Sequence, residues 1–92
     1  MSATHGDRPM SRDGLIFRQL DDSWVIYDPD AERLHTLNLT AALVWSHLDG
    51  THDGKAIVRE VAAAFEPPAT ADDIVGEVGD VIDSFRAEGL LR

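Results

Sequence analysis

Cysteine is absent from this 92-residue chain, which excludes disulfides, thiolate metal sites and a cysteine nucleophile. No apolar run approaches the roughly 20 residues that span a bilayer. The opening residues, MSATHGDRPMSRDG, have no apolar stretch of the signal-peptide kind. No membrane partner is therefore expected, and the expected location is cytoplasmic. Basic residues are scarce too: 8 against 17 acidic ones, for a net charge of −9. Phosphate backbones are held by cations that displace counterions. The cations here are scattered from Arg8 to Arg92, so no nucleic-acid partner is expected. An acidic balance favours solubility and suits a partner with basic residues.

The groups that converge in active sites are also missing. His5, His35, His47 and His52 show no metal-ligand spacing such as i, i+4 on one helix. No serine sits in a nucleophile-elbow pattern. Gly50, Gly54, Gly76, Gly79 and Gly89 are isolated and make no phosphate loop. The expectation is a protein without catalytic activity, metal or cofactor.

What is present is the patterning of one small domain. Residues 1–14 are polar and aperiodic, with Gly6, Pro9 and Gly14, and read as a flexible N-terminal arm; residues 15–92 form the domain. Three short strands are predicted: Leu15 to Leu20, Ser23 to Tyr27 and Glu32 to Leu37. Asp21-Asp22 and Asp28-Pro29-Asp30 supply the turns, the proline by fixing φ and the aspartates by bonding nearby amides. Such short connections imply an antiparallel meander with the third strand at an edge. From Asn38 the apolar period changes from 2 to 3.6. Asn38 or Thr40 caps a first helix to about Leu48, which Asp49-Gly50 stops. Asp53 caps a second, roughly Gly54 to Phe65, ended by Pro67-Pro68. Thr70 and Asp73 open a third, about Ala71 to Glu88, with Gly89 in the C-terminal cap position. The expected fold is α+β, winged helix-turn-helix-like, with a three-stranded antiparallel sheet followed by three helices.

Trp24 and Trp45 read as core, as large aromatics in small domains do, the alternative being a ligand-facing ring, chiefly for Trp24. The last helix carries two apolar stripes. Ile74, Val78, Val81 and Phe85 form one, assigned to the core; Val75, Gly79, Ile82 and Arg86 form the other, about a quarter-turn away. Gly79 either packs against the sheet or lets another backbone come close. A free third strand beside this second stripe makes a groove, where an extended peptide can add to the edge. Glu32, Arg33 and His35 can alternatively blunt that edge against pairing.

The stretch LHTLNLTAALVWSHLDG, followed by two helices and a terminal GLL, resembles the PqqD-like domains, which recognise precursor peptides of ribosomally synthesised, modified products. The marks are Leu37-Asn38 opening the first helix, Ala41 and Ala42 within it, Asp49-Gly50-Thr51 closing it, Ile57, and Gly89-Leu90-Leu91. They span about Leu15 to Leu91. The resemblance implies that the leader region of a precursor peptide adds as a strand to the third strand and packs against the third helix. The domain then presents the leader to a maturation enzyme: a radical SAM enzyme, a cyclase or a leader protease. Carried over by position, the contacts fall on Arg33, Leu34, His35, Thr36 and Leu37; periodicity adds Val75, Gly79, Ile82 and Arg86. The arm, the DPDAER turn and Pro67-Pro68 depart from the quinone-cofactor members, so lasso-peptide and other radical-enzyme pathways fit equally well. Two other readings are a protein–protein adaptor of a biosynthetic enzyme and a winged-helix DNA-binding regulator. The second is opposed by the seven acids between Glu66 and Glu88.

Overall fold

The computed structural model describes residues 8–92. It sets three strands before three helices: β1 (Ile16–Leu20), β2 (Ser23–Asp28), β3 (Arg33–Leu37), α1 (Leu39–Trp45), α2 (Gly54–Ala64) and α3 (Ala71–Ala87). Class and element order are those predicted. The sheet is an antiparallel meander in the order β1-β2-β3, with Ile16 opposite Tyr27 and Tyr27 opposite Leu34. Left-handed φ values at Asp21 (43°) and Glu32 (53°) shape its two turns. At the second, the Asp28 carboxylate accepts from the amides of Asp30 (3.1 Å) and Ala31 (3.3 Å).

Alternation along β2 sends Trp24, Ile26 and Asp28 to one face and Val25 and Tyr27 to the other. Ile26 is fully buried against the helices, in one cluster with Val44, Leu48, Ile57, Val61, Val78 and Leu90. Helix starts follow side-chain capping. Asn38, Asp53 and Thr70 accept from Ala41, Ala56 and Asp73 amides at 2.9, 2.9 and 3.3 Å. Asn38 is thus the cap of α1, and Thr40 is buried. α1 stops at Trp45 rather than running to Leu48. His47 and Leu48 amides bond back only three residues, and the His47 ring takes the Leu43 carbonyl at 2.8 Å. Trp45 packs edge-on against Phe85, with ring centroids 5.3 Å apart, and Trp24 is half-buried against the cluster.

α1 decides how the other layers sit. It touches β2, β3, α2 and α3, whereas no Cα of α3 comes within 8 Å of a strand Cα. Its buried face is small (Thr40, Ala41, Ala42, Val44), so the sheet and the other helices close onto it tightly. The end of α3 is equally defined. Gly89, at φ 74°, bonds back to Arg86 at 3.2 Å and Leu90 to Phe85 at 3.0 Å, a Schellman turn that drives Leu90 into the core.

The expected flexible arm, residues 1–14, lies outside the described residues up to residue 7; beyond it, the structure differs from that expectation. Ser11 and Arg12 amides bond the Leu48 and Leu90 carbonyls at 2.8 and 2.9 Å, and Met10 accepts from Arg92 at 2.9 Å. Met10 therefore bridges Asp49, and Ser11 bridges Leu91. Gly50, at φ 81°, lies under Met10, whose Sδ would stand 3.3 Å from any Cβ there. The Arg12 guanidinium donates to the buried Asp28 carboxylate at 2.7 Å and to the Gly89 carbonyl at 3.0 Å. Polar sequence misled here because backbone bonds and charge hold the segment, with only Pro9 buried and Met10 half-buried on Gly50.

Two outcomes are expected. Arg12→Ala leaves Asp28 desolvated beside two amides only, and should cost about 2 kcal/mol in urea unfolding. Asp49 accepts from the Thr51 hydroxyl (2.6 Å) and amide (2.9 Å) and faces His52 Nδ1 at 3.2 Å. These bonds, the Thr51 hydroxyl foremost, hold its carboxyl well below the ordinary value of 3.8. A lowered folded-state value stabilises above the unfolded one and is lost as the pH falls. Asp49→Asn should therefore lose less stability than the wild type between roughly pH 5 and pH 2 in the same measurement.

Candidate peptide-binding groove

Among the described residues β3 bonds to β2 along one side and to no other strand, so its second side presents backbone groups that no described strand pairs. Because α1 holds α3 away from the sheet, that free edge borders a groove of about 440 Å³. One wall is Arg33 to Leu37; the other is Val81, Ser84 and Phe85 of α3 with Glu88 beyond its end. Phe85 and Leu37 are buried at its base, Val81 is half-buried, and Ser84 and Glu88 are exposed.

Along β3 the side chains divide. His35 and Leu37 turn inward, in the rows of Ile26 and Trp24. Leu34 and Thr36 turn to the outer face, and Leu34 is 62% exposed beside Tyr27 and Ile16. His35 is therefore not a blunting device on the edge. Its side chain is only 10% exposed, and Nδ1 meets the Glu88 carboxylate at 3.2 Å across the groove. If Nδ1 carries the proton, Nε2 is an acceptor. Nε2 is buried and has no hydrogen-bond partner among the described residues.

The groove brings together Arg33, Leu34, His35, Thr36 and Leu37, as the sequence reading has it. The second stripe of α3 is placed elsewhere. Val75, Gly79 and Ile82 line a separate cleft against α2, and Arg86 lines neither. The helix residues that do face β3, Val81 and Phe85, belong to the stripe assigned wholly to the core, with Ser84 and Glu88 beside them. The available signal was their i, i+3, i+4, i+7 spacing from Val81 to Glu88. Periodicity shows which residues share a face, but not whether that face meets a neighbour or a gap.

Acidic side chains cover the exposed side of α3, including Asp72, Asp73, Glu77, Asp80 and Asp83. No group of three or more potential metal ligands occurs among the described residues. None of their helices is long and apolar enough to cross a membrane.

Comparison with known proteins gives the family and the fold. The chain is 34% identical over 91 residues to a PqqA binding protein of Xanthomonas axonopodis pv. citri (strain 306), covering 97% of this chain and 95% of that protein. It is 33% identical over 93 residues to the PqqA binding protein of Xanthomonas oryzae pv. oryzae (strain PXO99A), at 99% and 97% coverage. The fold matches that of a lasso peptide synthetase B1 complexed with the leader peptide: TM-score 0.74, 20% identity, 92% of this chain and 98% of that one. It also matches TbiB1 in complex with the TbiA(beta) leader peptide: TM-score 0.72, 17% identity, 90% and 94% coverage. The family model for coenzyme PQQ synthesis protein D matches residues 23–91. That span takes in β2, β3 and all three helices, and on it the chain belongs to the PqqD family.

Proposed function

We propose that this protein binds the leader region of a ribosomally synthesised precursor peptide by strand addition to β3, and presents it to a maturation enzyme. The observation that carries this reading is the free edge of β3 bordering a groove whose opposite wall is a helix with no Cα within 8 Å of a strand Cα. An added strand pairs its backbone with β3, which supplies affinity for almost any extended segment; alternate side chains enter the groove and supply selection. The groove-facing positions of the leader meet Val81 and Phe85, so apolar residues fit there. The Glu88 carboxylate at the rim favours a basic or hydrogen-bonding neighbour. Outward-facing positions extend the exposed row of Ile16, Tyr27 and Leu34.

The relatives are named for binding PqqA, and the solved structures of like fold contain leader peptides. Both support a leader as the occupant. The protein's part is to hold the substrate; the chemistry belongs to the partner, whether a radical SAM enzyme, a cyclase or a leader protease. Such work places it in the cytoplasm, where precursor peptides are made. The acidic surface of α3 opposes docking on DNA.

The test is titration of a synthetic leader from a neighbouring precursor gene, followed by tryptophan fluorescence. Ser84→Trp fills the groove from an exposed position without entering the core. It should weaken leader binding by about tenfold or more, at unchanged thermal stability. Val75→Asp, on the other flank of α3, should leave leader affinity within about twofold. The opposite pattern would move the site to the second stripe.

A further inference from the structure

α3 has a second flank that the leader groove leaves unused. Beyond the buried ridge of Ile74, Val78 and Phe85, a cleft of about 670 Å³ separates α3 from the first two turns of α2. Val58 forms its α2 wall; Val75, Gly79 and Ile82 form the α3 wall. Val75 is 54% exposed, although valine is normally buried in a domain this small.

Gly79 is the informative residue. A glycine inside a helix costs roughly 1 kcal/mol against alanine. A Cβ built there meets nothing within 4 Å. Packing among the described residues therefore does not require glycine at 79, and the sheet does not lie against it. Its effect is to leave helical backbone bare on the floor of an apolar cleft, the arrangement that lets a second helix approach closely.

The rims are charged. Lys55 and Arg59, one turn apart on α2, stand on one side, and Asp72 stands on the other. None of the three is ion-paired among the described residues. In a chain of net charge −9, two adjacent unpaired cations beside an apolar cleft select a partner with carboxylates at that side. The backbone of both walls is committed to helical bonding, so strand addition is impossible here. Recognition must come from side chains seated in a groove.

We propose that this cleft is a docking site for an amphipathic helix of the maturation enzyme. Apolar residues of that helix sit over Gly79 between Val58, Val75 and Ile82, and its acidic flank meets Lys55 and Arg59. The proposal rests on the leader-binding reading, and it explains how presentation is achieved. The leader and the enzyme occupy different flanks of one helix, so both bind at once.

The test uses the full-length protein, its leader peptide and the maturation enzyme encoded beside the precursor, with binding measured by calorimetry. Two variants are made. Gly79→Leu fills the cleft and raises helix propensity. Lys55→Glu with Arg59→Glu reverses the rim charge and puts an acid in the first turn of α2, where the helix dipole favours it. Circular dichroism checks that both fold. Each variant should bind the leader within about twofold of the wild type, and, once loaded, bind the enzyme about tenfold or more weakly. Unchanged enzyme affinity in both variants, with leader binding intact, overturns the docking site alone. A parallel loss of leader affinity overturns it by making the cleft part of the leader site. Wild-type self-association abolished by Gly79→Leu in sedimentation overturns it in favour of a second copy as occupant. Failure of the wild type to bind leader at all is seen before enzyme is added, and removes both readings.

Discussion

The arrangement depends on a short helix used as a spacer. α1 is seven residues long, yet it contacts two strands and both other helices. Its small side chains, Ala41 and Ala42 among them, bring the sheet and the helix pair close without letting α3 reach β3. Had α3 closed onto the sheet, the inner face of β3 would be covered and its edge obstructed. Held off, it leaves a strand with one side paired and one side open, facing a helical wall. A sheet edge is ordinarily a liability that proteins blunt. Here the inward turn of His35 and the exposure of Leu34 leave it available.

In the proposed strand addition, the two walls of the groove divide the work of recognition. Backbone groups on β3 are indifferent to sequence, so they supply affinity that many leaders can use. In that proposed mode, Val81, Ser84, Phe85 and Glu88 read side chains and set which leader fits. The His35–Glu88 contact joins the walls at one end. The second cleft has a different character: apolar, with charged rims and no backbone to offer. One helix thus lines two clefts of different kind, one on each flank.

Much of this was legible in the sequence, for identifiable reasons. The switch from period 2 to period 3.6 at Asn38 placed the boundary between sheet and helices. Asn38, Asp53 and Thr70 marked helix starts because their side chains satisfy amides that the helices leave free. Short turns made a meander unavoidable, and a meander leaves its last strand at an edge. Two features were hidden. The segment from Pro9 to Arg12 has no periodicity to reveal it, since its attachment uses carbonyls at Leu48 and Leu90 and a carboxylate at Asp28, all remote in sequence. The face of α3 toward β3 was hidden because a half-buried Val81 and a buried Val78 look alike in a helical stripe. Only the spacing imposed by α1 separates them, and that is a tertiary property.

Strand addition makes a statement about backbone amides, and hydrogen–deuterium exchange of the protein with and without saturating leader peptide reads them directly. The account predicts that exchange slows in Arg33–Leu37 and is little changed in Ile16–Leu20, the other edge of the sheet. Slowing confined to β1, or to the α2–α3 cleft with β3 unaffected, would contradict it.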